Sequence, residues 1–353
     1  QRQMCIRDSW LVELDKGVVI EDGELVEFRK IDSGRRIRSE KVRVSERLGD
    51  PSAPKSVSLI AIHQHKIPNI FPEDVLLQSK KASFLQNKKW YDYSHLPFVT
   101  IDPKDARDHD DACYAKPDDD PKNIGGHLIW VAIADVAHFV RSGDAIDNEA
   151  RHRGNSTYFP DRVVPMLPDN LSGNLCSLHE GEKRACIVVK IKIDSVGNKI
   201  SHKFTRAVIQ SWASLEYGEV QEVIDKGKGK PKVLDLVNTV IKPLYDAYSC
   251  LKISRKARSP LDLSLPERKI EIDEKGIVKD VRFKERLEAH KLIEEFMILA
   301  NVCAAETLSY KKTPTIFRVH EEPDKEKIEA LRKTAVSVGL KLSKGQNLSL
   351  IHI

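Results

Sequence analysis

The N-terminal part of the chain alternates between apolar and polar positions in short runs. The runs are LVELDKGVVI, ELVEFRKI, KVRVSERL and VSLIAI, with turn-forming sequences such as EDG and DSG among them. Alternation with a period of two is typical of strands that bury one face. Several short strands at this spacing predict a small antiparallel, OB-like barrel, which we assign to residues 10–66.

The pattern changes after this stretch. Pro68 and Pro72 interrupt the alternation, and residues 73–86 (EDVLLQSKKASFLQ) carry apolar side chains at helical spacing. The sequence therefore predicts a helical connector over residues 67–96, which joins the barrel to a second domain.

Residues 97–345 combine strand and helix patterns in one larger domain. Strands are predicted at 128–136, 187–193, 203–210, 269–272 and 277–283. Helices are predicted at 146–152, 234–256, 287–308 and 325–338, the second with a kink at Pro243. The predicted fold class is therefore α+β, a mixed sheet with packed helices preceded by the small basic OB-like β-barrel.

The helix predicted over 287–308 is apolar nearly all round, which predicts burial at the centre of its domain. His290, Glu294 and Asn301 fall within about 40° of one another at roughly 100° per residue, away from the main apolar stripe. A carboxylate on a buried helix needs a partner or a role. Glu294 is therefore either a site residue or one half of a structural ion pair with an arginine.

The composition of the 353-residue chain is that of a soluble globular protein, with 41% hydrophobic and 31% charged residues. Its six cysteines are scattered and form no CxxC pair, which argues against a disulfide framework and favours a reducing cytoplasm. No apolar run approaches the roughly 18 residues that a membrane span needs. We expect a cytoplasmic monomer without a membrane segment.

Basic residues are concentrated in the predicted barrel. The formal charge of +5 results from 58 basic and 53 acidic residues, so their distribution matters more than their sum. The basic cluster comprises Arg29, Lys30, Arg35, Arg36, Arg38, Lys41, Arg43 and Arg47. A basic small barrel is a common platform for single-stranded nucleic acid. The alternative is a solvated basic face on a barrel with another role.

Five aspartates stand within residues 100–114, TIDPKDARDHDDACY, between two apolar runs. They are Asp102, Asp105, Asp108, Asp110 and Asp111. The flanking runs predict a strand, an acidic loop and a second strand. Carboxylates this close repel one another unless cations lie among them, and Mg²⁺ prefers oxygen ligands. The loop is a candidate magnesium site for phosphoryl chemistry, and the alternative is a solvated acidic turn.

Other motifs fit this stretch less well. An EF-hand loop starting at Asp108 would require Asp or Asn at position 112 and Gly at 113, where Ala112 and Cys113 stand. The chain has no GxxxxGKS/T phosphate loop and no GxSxG nucleophile elbow. A hydrolase with two metal ions is left, one ion activating water and the other stabilising the leaving oxygen. An unrelated calcium-binding module is a weaker alternative.

Longer strings surround these residues. They are LPFVTIDPKDARDHDDACYA, VAIADVAHFV, GNSTYFPDRVVPMLPDNLSGNLCSL, LDLSLPERKI and HKLIEEFMILANVCAAETL. Together they resemble the catalytic domain of the ribonuclease II family, over about residues 10–345. That family hydrolyses RNA processively from the 3′ end with magnesium. The resemblance implies a Mg²⁺-dependent 3′-to-5′ exoribonuclease that releases nucleoside 5′-monophosphates and whose partner is single-stranded RNA.

The resemblance implies which acidic residues carry the chemistry. The residues that match the family's catalytic set, and are implied to hold metal, are Asp102, Asp108, Asp110 and Asp111. Asp105 falls outside that set and is interpreted as a loop residue. Which of the four ligate metal, and which orient water or the 3′ end, stays open at this point.

The resemblance also implies contacts to RNA. Tyr158 matches a tyrosine that stacks near the terminal base, and Glu294 matches a glutamate near the terminal nucleotides. Leu263 stands where relatives often carry a second stacking residue, a phenylalanine. The basic barrel resembles the family's second cold-shock domain without its first strands.

Parts of the chain depart from the family pattern. Residues 1–9 (QRQMCIRDS) and 346–353 (QNLSLIHI) match no element and are interpreted as extraneous. The family's arginine-containing segment and its C-terminal RNA-binding barrel do not follow residue 345. Because that arginine would neutralise charge at the scissile phosphate, we expect weak binding of magnesium and RNA and poor hydrolysis. The alternative function is that of a non-catalytic RNA-binding fragment.

Overall fold

The computed structural model describes residues 11–14, 19–31, 41–50, 53, 56–84, 89–258, 266–273, 277–317, 319, 321 and 323–340. The predicted extraneous segments 1–9 and 346–353 and the departure at Leu263 lie outside the described residues. The strands are β1 (Leu11–Glu13), β2 (Leu25–Ile31), β3 (Lys41–Gly49), β4 (Tyr91–Asp92), β5 (Val99–Asp102), β6 (Asp111–Pro117), β7 (His127–Ala134), β8 (Thr157–Tyr158), β9 (Val163–Val164), β10 (Lys183–Ile193), β11 (Lys199–Gln210), β12 (Ala213–Glu216), β13 (Arg268–Ile272) and β14 (Val278–Phe283). The helices are α1 (Ser56–Gln64), α2 (Glu73–Lys81), α3 (Val136–Phe139), α4 (Ala145–Arg153), α5 (Tyr217–Lys226), α6 (Pro231–Asp235), α7 (Lys242–Ala257), α8 (Glu288–Tyr310) and α9 (Lys325–Ser337).

These elements belong to two compact units. The first unit comprises the described residues of Gln1–Lys80, Ser142–Pro168 and Pro266–Lys284. The second unit comprises the described residues of Lys81–Arg141, Asp169–Leu265 and Glu285–Ile353.

The described residues of the first unit form three small sheets. Strand β3 lies in the middle of one of them, parallel to β1 and antiparallel to β2. Strands β13 and β14 form the predicted antiparallel hairpin, and β8 and β9 pair through two residues each. The described strands of residues 10–66 form an open sheet, so a closed barrel stays a prediction, as do the domain boundaries at 66, 96 and 345.

One strand predicted in this stretch is wrong, because residues 57–62 (VSLIAI) lie in helix α1. Ser58 and Ile62 are among its buried side chains. The hydroxyl of Ser58 donates a hydrogen bond to the carboxylate of Asp161, which is distant in the chain. Tertiary contacts of this kind override the preference of β-branched residues for strands, which depends strongly on context.

The second unit is built on a seven-stranded mixed sheet with the order β12-β5-β6-β7-β10-β11-β4. The outer pairs β12–β5 and β11–β4 are parallel, and the inner pairs are antiparallel. Apolar side chains of β5, β6, β7, β10 and β12 form one core with those of α5, α7 and α8. This arrangement confirms the predicted α+β class with a mixed sheet and packed helices.

The central strands lie where continuous apolar sequence predicts them. The predicted strand 128–136 is β7, and most of its side chains are buried. The predicted pair 187–193 and 203–210 is the antiparallel pair β10–β11. Because β7 lies between β6 and β10 and is covered on both faces, it accommodates apolar side chains at successive positions.

The predicted helices at 146–152 and 325–338 are confirmed as α4 and α9. The helix predicted over 73–86 is α2, which ends at Lys81, so residues 82–84 are not helical, and residues 85–86 lie outside the described residues. The carboxylate of Asp144 caps α4 and accepts a hydrogen bond of 2.7 Å from the N–H of Asp147. Aspartate is favoured at this position because its side chain satisfies a backbone N–H that has no partner within the helix.

The helix predicted over 234–256 is interrupted close to the predicted kink. Helix α6 ends at Asp235, a π-helical turn occupies Val237–Ile241, and α7 begins at Lys242. Pro243 therefore lies in the first turn of α7. Proline is tolerated there because the N–H it lacks would have no partner within the helix.

The helix predicted over 287–308 is confirmed as α8, but the prediction that it is buried on all sides is wrong. Leu292, Phe296 and Cys303 are buried in the core of the second unit. Ile298 and Val302, on the other side of the helix, are 43% and 41% exposed. The core contacts one face of the helix, so the apolar side chains on the opposite face stay partly exposed.

None of the described helices is long and apolar enough to span a membrane. Within the described residues, the cysteines Cys113, Cys176, Cys186, Cys250 and Cys303 are buried free thiols. Burial raises the pKa of Cys176 to about 12, which makes its thiol inert at neutral pH.

Gly197 lies in the turn between β10 and β11, and we predict that Gly197→Ala destabilises the second unit. Its φ is +83°, and a Cβ atom there would stand 2.2 Å from the backbone oxygen of Cys250 in α7. Backbone atoms of a packed helix cannot give way cheaply, so the free energy of unfolding should fall by roughly 3 kcal/mol or more. Urea unfolding followed by circular dichroism measures this change.

Gly181→Ala is the matched control. Gly181 has a φ of +75° in the same unit, but a Cβ atom there would meet nothing within 4 Å. The free energy of unfolding of that variant should fall by only about 1–2 kcal/mol, because alanine is disfavoured in the left-handed backbone conformation. Equal losses in the two variants would contradict the predicted clash.

Candidate active site

The acidic loop joins two neighbouring strands of the second unit, as predicted. Strand β5 ends at Asp102, strand β6 begins at Asp111, and the two strands are paired. Residues 103–110 between them form neither strand nor helix. The loop therefore carries Asp108 and Asp110 back to the end of the strand pair at which Asp102 and Asp111 stand.

The carboxylates of this loop act on one another electrostatically. Burial raises the pKa of Asp111 to about 7, and the charges of Asp102 and Asp110 add to the increase. Burial also raises the pKa of Asp110, followed by the charges of Asp108 and Asp102. Among the described residues, no lysine or arginine forms an ion pair with Asp108, Asp110 or Asp111. The structure thus brings the four predicted aspartates together without a neutralising side chain of that kind.

His109 is a residue of this site that the sequence reasoning missed. Its Nδ1 atom lies 2.6 Å from Oδ2 of Asp102 and 3.5 Å from the hydroxyl of Thr100. The hydrogen bond with Asp102 raises the pKa of His109, and the nearby charges of Asp102, Asp108 and Asp110 act in the same direction against the effect of burial. The signal in the sequence was its position between Asp108 and Asp110.

Tyr217, the first residue of α5, is a second residue that the sequence reasoning missed. Burial raises the pKa of its phenol, and the charges of Asp102 and Asp111 contribute to the increase. Its ring stacks on that of His290 in α8, with centroids 4.0 Å apart and an angle of 15° between the planes. The charge of Glu294 acts on the same phenol. Tyr217 therefore lies near both the acidic loop and Glu294. No pattern along the chain predicts that these residues are close together.

Glu294 forms an ion pair with Arg286, which donates to its carboxylate through Nε at 3.3 Å and through Nη2. The structural pairing with an arginine is therefore present, and the contact with RNA stays a prediction. The side chain of Glu294 is 42% exposed. The buried carboxylate of α8 is instead its neighbour Glu295, which is 3% exposed and pairs with Arg255.

Tyr158 lies in the short strand β8 of the first unit. The β8–β9 pairing aligns Tyr158 with Val163, and the tyrosine is 68% exposed. Exposed aromatic rings are the side chains on which bases stack. The stacking role of Tyr158 stays a prediction.

The basic cluster of the first unit is partly neutralised. Lys41 pairs with Glu13 at 2.6 Å, and Arg47 pairs with Glu24 at 2.7 Å. Three members of the cluster at positions 35, 36 and 38 lie outside the described residues. A role of this cluster in binding nucleic acid therefore stays a prediction, as does the alternative of a solvated basic face.

The donor set of the acidic loop suits a hard divalent cation. Asp102, Asp108, Asp110 and Asp111 offer carboxylate oxygens, which Mg²⁺ prefers. Burial raises the pKa of Asp110 and Asp111, repulsion among the carboxylates adds to the increase, and a cation would relieve that repulsion. The oxygens of no three of these residues all lie within 4.8 Å of one another, so a bound cation would draw the side chains inward.

A second group of potential metal ligands lies in the first unit. Donor atoms of Glu27, Glu46 and His63 all lie within 4.8 Å of one another. Glu27 and Glu46 stand opposite each other on β2 and β3, and Nδ1 of His63 lies 3.8 Å from a Glu27 oxygen. Exposed acidic groups often converge without a metal, so this geometry alone assigns no site.

Comparison with known proteins gives consistent matches. The RNB domain family matches residues 90–352. Ribonuclease R of Vibrio cholerae serotype O1 is 36% identical over 327 residues, which cover 92% of this chain and 39% of the relative. Ribonuclease R of Escherichia coli K12 is 36% identical over 307 residues, 86% of this chain and 37% of the relative.

Solved structures agree with the sequence matches. Mycoplasma genitalium RNase R in complex with ribose-methylated single-stranded RNA aligns with a TM-score of 0.84 at 28% identity, over 97% of this chain and 53% of that one. The chain thus spans about two fifths of the curated relatives and half of this structure. These matches confirm the resemblance that the sequence strings indicate.

The raised pKa of Asp111 predicts how stability depends on pH in the absence of divalent metal. The folded state binds this proton with a pKa of about 7, against 3.8 for an ordinary aspartate. Its contribution to stability is therefore complete below pH 3.8 and is lost as the pH rises towards and through 7. Asp111→Asn lacks this ionisation, so at pH 8 it should be more stable than the unaltered protein by a few kcal/mol. Thermal unfolding in EDTA between pH 4 and pH 8 measures the difference.

Asp118→Asn is a control of opposite sign. Hydrogen bonds from Lys192 and Asn123 lower the pKa of Asp118 to about 2. Its contribution to stability is present above pH 3.8, so Asp118→Asn should be less stable than the unaltered protein at pH 7. Parallel pH profiles for Asp111→Asn and the unaltered protein would contradict the assignment at Asp111.

Proposed function

This chain belongs to the RNB domain family, and from that membership we propose that its protein is a Mg²⁺-dependent exoribonuclease. The proposed reaction removes nucleoside 5′-monophosphates one at a time from the 3′ end of single-stranded RNA. The relatives named Ribonuclease R, and the structure of one of them with single-stranded RNA, support this proposal.

The observation that carries the proposal is the acidic loop between β5 and β6. It lies inside the region that matches the RNB domain and gathers Asp102, Asp108, Asp110 and Asp111. Burial raises the pKa of Asp110 and Asp111, and the charges of neighbouring carboxylates add to the increase. Perturbed carboxylates of this kind are typical of sites that bind metal or transfer protons.

The residues of the chain have distinct parts in the proposed mechanism. The four aspartates would hold Mg²⁺, which when bound lowers the pKa of water and neutralises charge on the phosphate. His109 fixes one oxygen of Asp102 through the contact of 2.6 Å. The ring of Tyr217 is held by its stacking on His290, with centroids 4.0 Å apart.

The proposed hydrolysis is an in-line displacement at the terminal phosphodiester. A water oxygen forms a bond to phosphorus, and the bond from phosphorus to O3′ of the preceding nucleotide breaks. The released O3′ takes up a proton, so the products are a nucleoside 5′-monophosphate and an RNA shortened by one residue with a free 3′-hydroxyl.

Further residues would guide the RNA. Tyr158 would stack on a base near the 3′ end, since an exposed aromatic ring accepts any base. Glu294 would contact the terminal nucleotides from α8, near Tyr217. The basic cluster of the first unit would meet phosphates, and its ion pairs with Glu13 and Glu24 would then be exchanged for contacts with RNA.

A second candidate function is RNA binding without catalysis. It is favoured if the ion pair of Glu294 with Arg286 persists when RNA is bound and the acidic loop takes up no metal.

We also propose that the protein acts as a monomer in the cytoplasm. The buried free thiols of the described cysteines support a reducing compartment.

Asp110→Asn tests the proposed catalysis. Replacing one carboxylate of a metal-binding set should slow the release of mononucleotides from end-labelled single-stranded RNA by roughly 100-fold or more, with RNA affinity nearly unchanged. The measurement is a time course in Mg²⁺ resolved on a denaturing gel, with a filter-binding assay alongside.

Asp105→Asn is the matched control, because it removes the same charge from the same loop outside the catalytic set. It should keep the rate of the unaltered protein within about threefold. An undiminished rate in Asp110→Asn would remove that residue from the site. RNA binding without any mononucleotide release by the unaltered protein would favour the second candidate function.

Tyr158→Ala tests the stacking contact. Loss of one base–aromatic stack costs about 1–3 kcal/mol, so the shortest RNA that stays bound should change in length. Mg²⁺ binding should be unaffected. The sizes of the final products on a denaturing gel measure the effect, and the exposed Tyr310, replaced by alanine, serves as control. Identical final products for Tyr158→Ala and the unaltered protein would exclude Tyr158 from the RNA contact.

A further inference from the structure

The acidic loop is held at its middle by a segment that is distant in the chain. Residue His109 lies between two of the aspartates, and its N–H donates a hydrogen bond of 3.0 Å to the hydroxyl of Ser177. Its carbonyl accepts a hydrogen bond of 2.8 Å from the N–H of Leu178. Both backbone groups of His109 are therefore bound by two successive residues on the other side of the site.

The segment that provides these hydrogen bonds is itself firmly placed. Ser177 and Leu178 are 0% and 1% exposed. The carbonyl of Ser177 accepts a hydrogen bond of 3.0 Å from Nε of Arg184, a buried arginine that also donates to Asn174. The N–H of Ser177 donates at 2.9 Å to the carbonyl of Asn174. Ser177 is thus fixed on its main chain while its hydroxyl faces the acidic loop.

These hydrogen bonds matter because charge repulsion within the loop favours its opening. Residues 103–110 belong to no strand, and the negative charges of Asp108 and Asp110, on either side of His109, repel each other. An arginine or lysine would also hold the loop, but its charge would compete with a divalent cation for the same oxygens. A hydroxyl and a peptide N–H hold the backbone without adding positive charge.

We propose that Ser177 is a positioning residue for the metal-binding aspartates. Through His109 it fixes the main chain between Asp108 and Asp110, so that both carboxylates start from one geometry when a cation binds. This inference rests on the proposed function, because it assumes that the acidic loop binds divalent metal. It extends the site to a residue that touches neither substrate nor metal.

The test compares metal binding by the full 353-residue chain with that of Ser177→Ala. The concentration of Mg²⁺ that gives half of the thermal stabilisation is measured at fixed pH, and Mn²⁺ binding is followed by electron paramagnetic resonance. Loss of a residue that orients metal ligands typically weakens metal affinity roughly 10- to 100-fold, and we expect a shift in that range. In RNA cleavage, kcat should fall at low Mg²⁺ and recover at high Mg²⁺, with the KM for RNA unchanged.

Ser211→Ala separates positioning from a loss of stability. Ser211 is a buried serine of the same unit whose hydroxyl donates to the carbonyl of Ala213 at 3.1 Å, away from the acidic loop. Its replacement should lower the melting temperature about as much as Ser177→Ala does, but leave the Mg²⁺ midpoint unchanged. Ser177→Cys, of nearly the same size and with a weaker acceptor, should give a midpoint between those of Ser177→Ala and the unaltered protein.

Two results would overturn the positioning role while the proposed function stands. One is an unchanged Mg²⁺ midpoint in both Ser177 variants, and the other is an equal shift in Ser211→Ala. If the unaltered chain shows no Mg²⁺ stabilisation and no Mn²⁺ signal, the metal site fails and this inference fails with it. If Ser177→Ala does not fold, the midpoint of Ser177→Cys decides, and a value equal to that of the unaltered protein rejects the proposal.

Discussion

Repulsion among the carboxylates at the β5–β6 junction is the constraint on which the rest of the second unit depends. Strand pairing places Asp102 and Asp111 at one end of the sheet, and the loop returns two further aspartates to the same place. Burial and mutual charge raise the pKa of Asp110 and Asp111 there. A folded chain keeps such an unfavourable arrangement only when packing and hydrogen bonds elsewhere hold it, which is common at functional sites.

Other carboxylates of the second unit are neutralised by lysine side chains. Lys252 and Lys291 donate hydrogen bonds to Glu288 and lower its pKa to about 2. Lys192 does the same for Asp118. These groups are structural ion pairs, in which each negative charge has a positive partner. The acidic loop differs because, among the described residues, Asp108, Asp110 and Asp111 have no lysine or arginine partner. This difference, more than the number of aspartates, makes the loop a candidate metal site.

Sequence patterns predicted elements well where local and tertiary preferences agree. Helix α8 follows its predicted limits closely, and β10 and β11 end where predicted but begin earlier, at Lys183 and Lys199. Prediction failed where packing decides between local alternatives, as for residues 57–62, which are a helix. On α8, Glu295 is buried and Glu294 is half-exposed, although the two are adjacent. A step of about 100° along a helix exchanges a buried position for an exposed one, and the rotation is set by the side chains that enter the core.

The sequence by itself determined that an acidic loop stands between two strands. Its flanking strings identified the family, and the resemblance singled out four of the five aspartates as candidate site residues. The sequence did so because strand periodicity, turn residues and motif spacing are local properties. Only the tertiary structure decided that Tyr217 from α5 stands beside Asp102, and that Ser177 holds the loop at His109 from 68 residues away. Contacts between distant segments depend on how strands pair and helices pack, and no local pattern records that outcome.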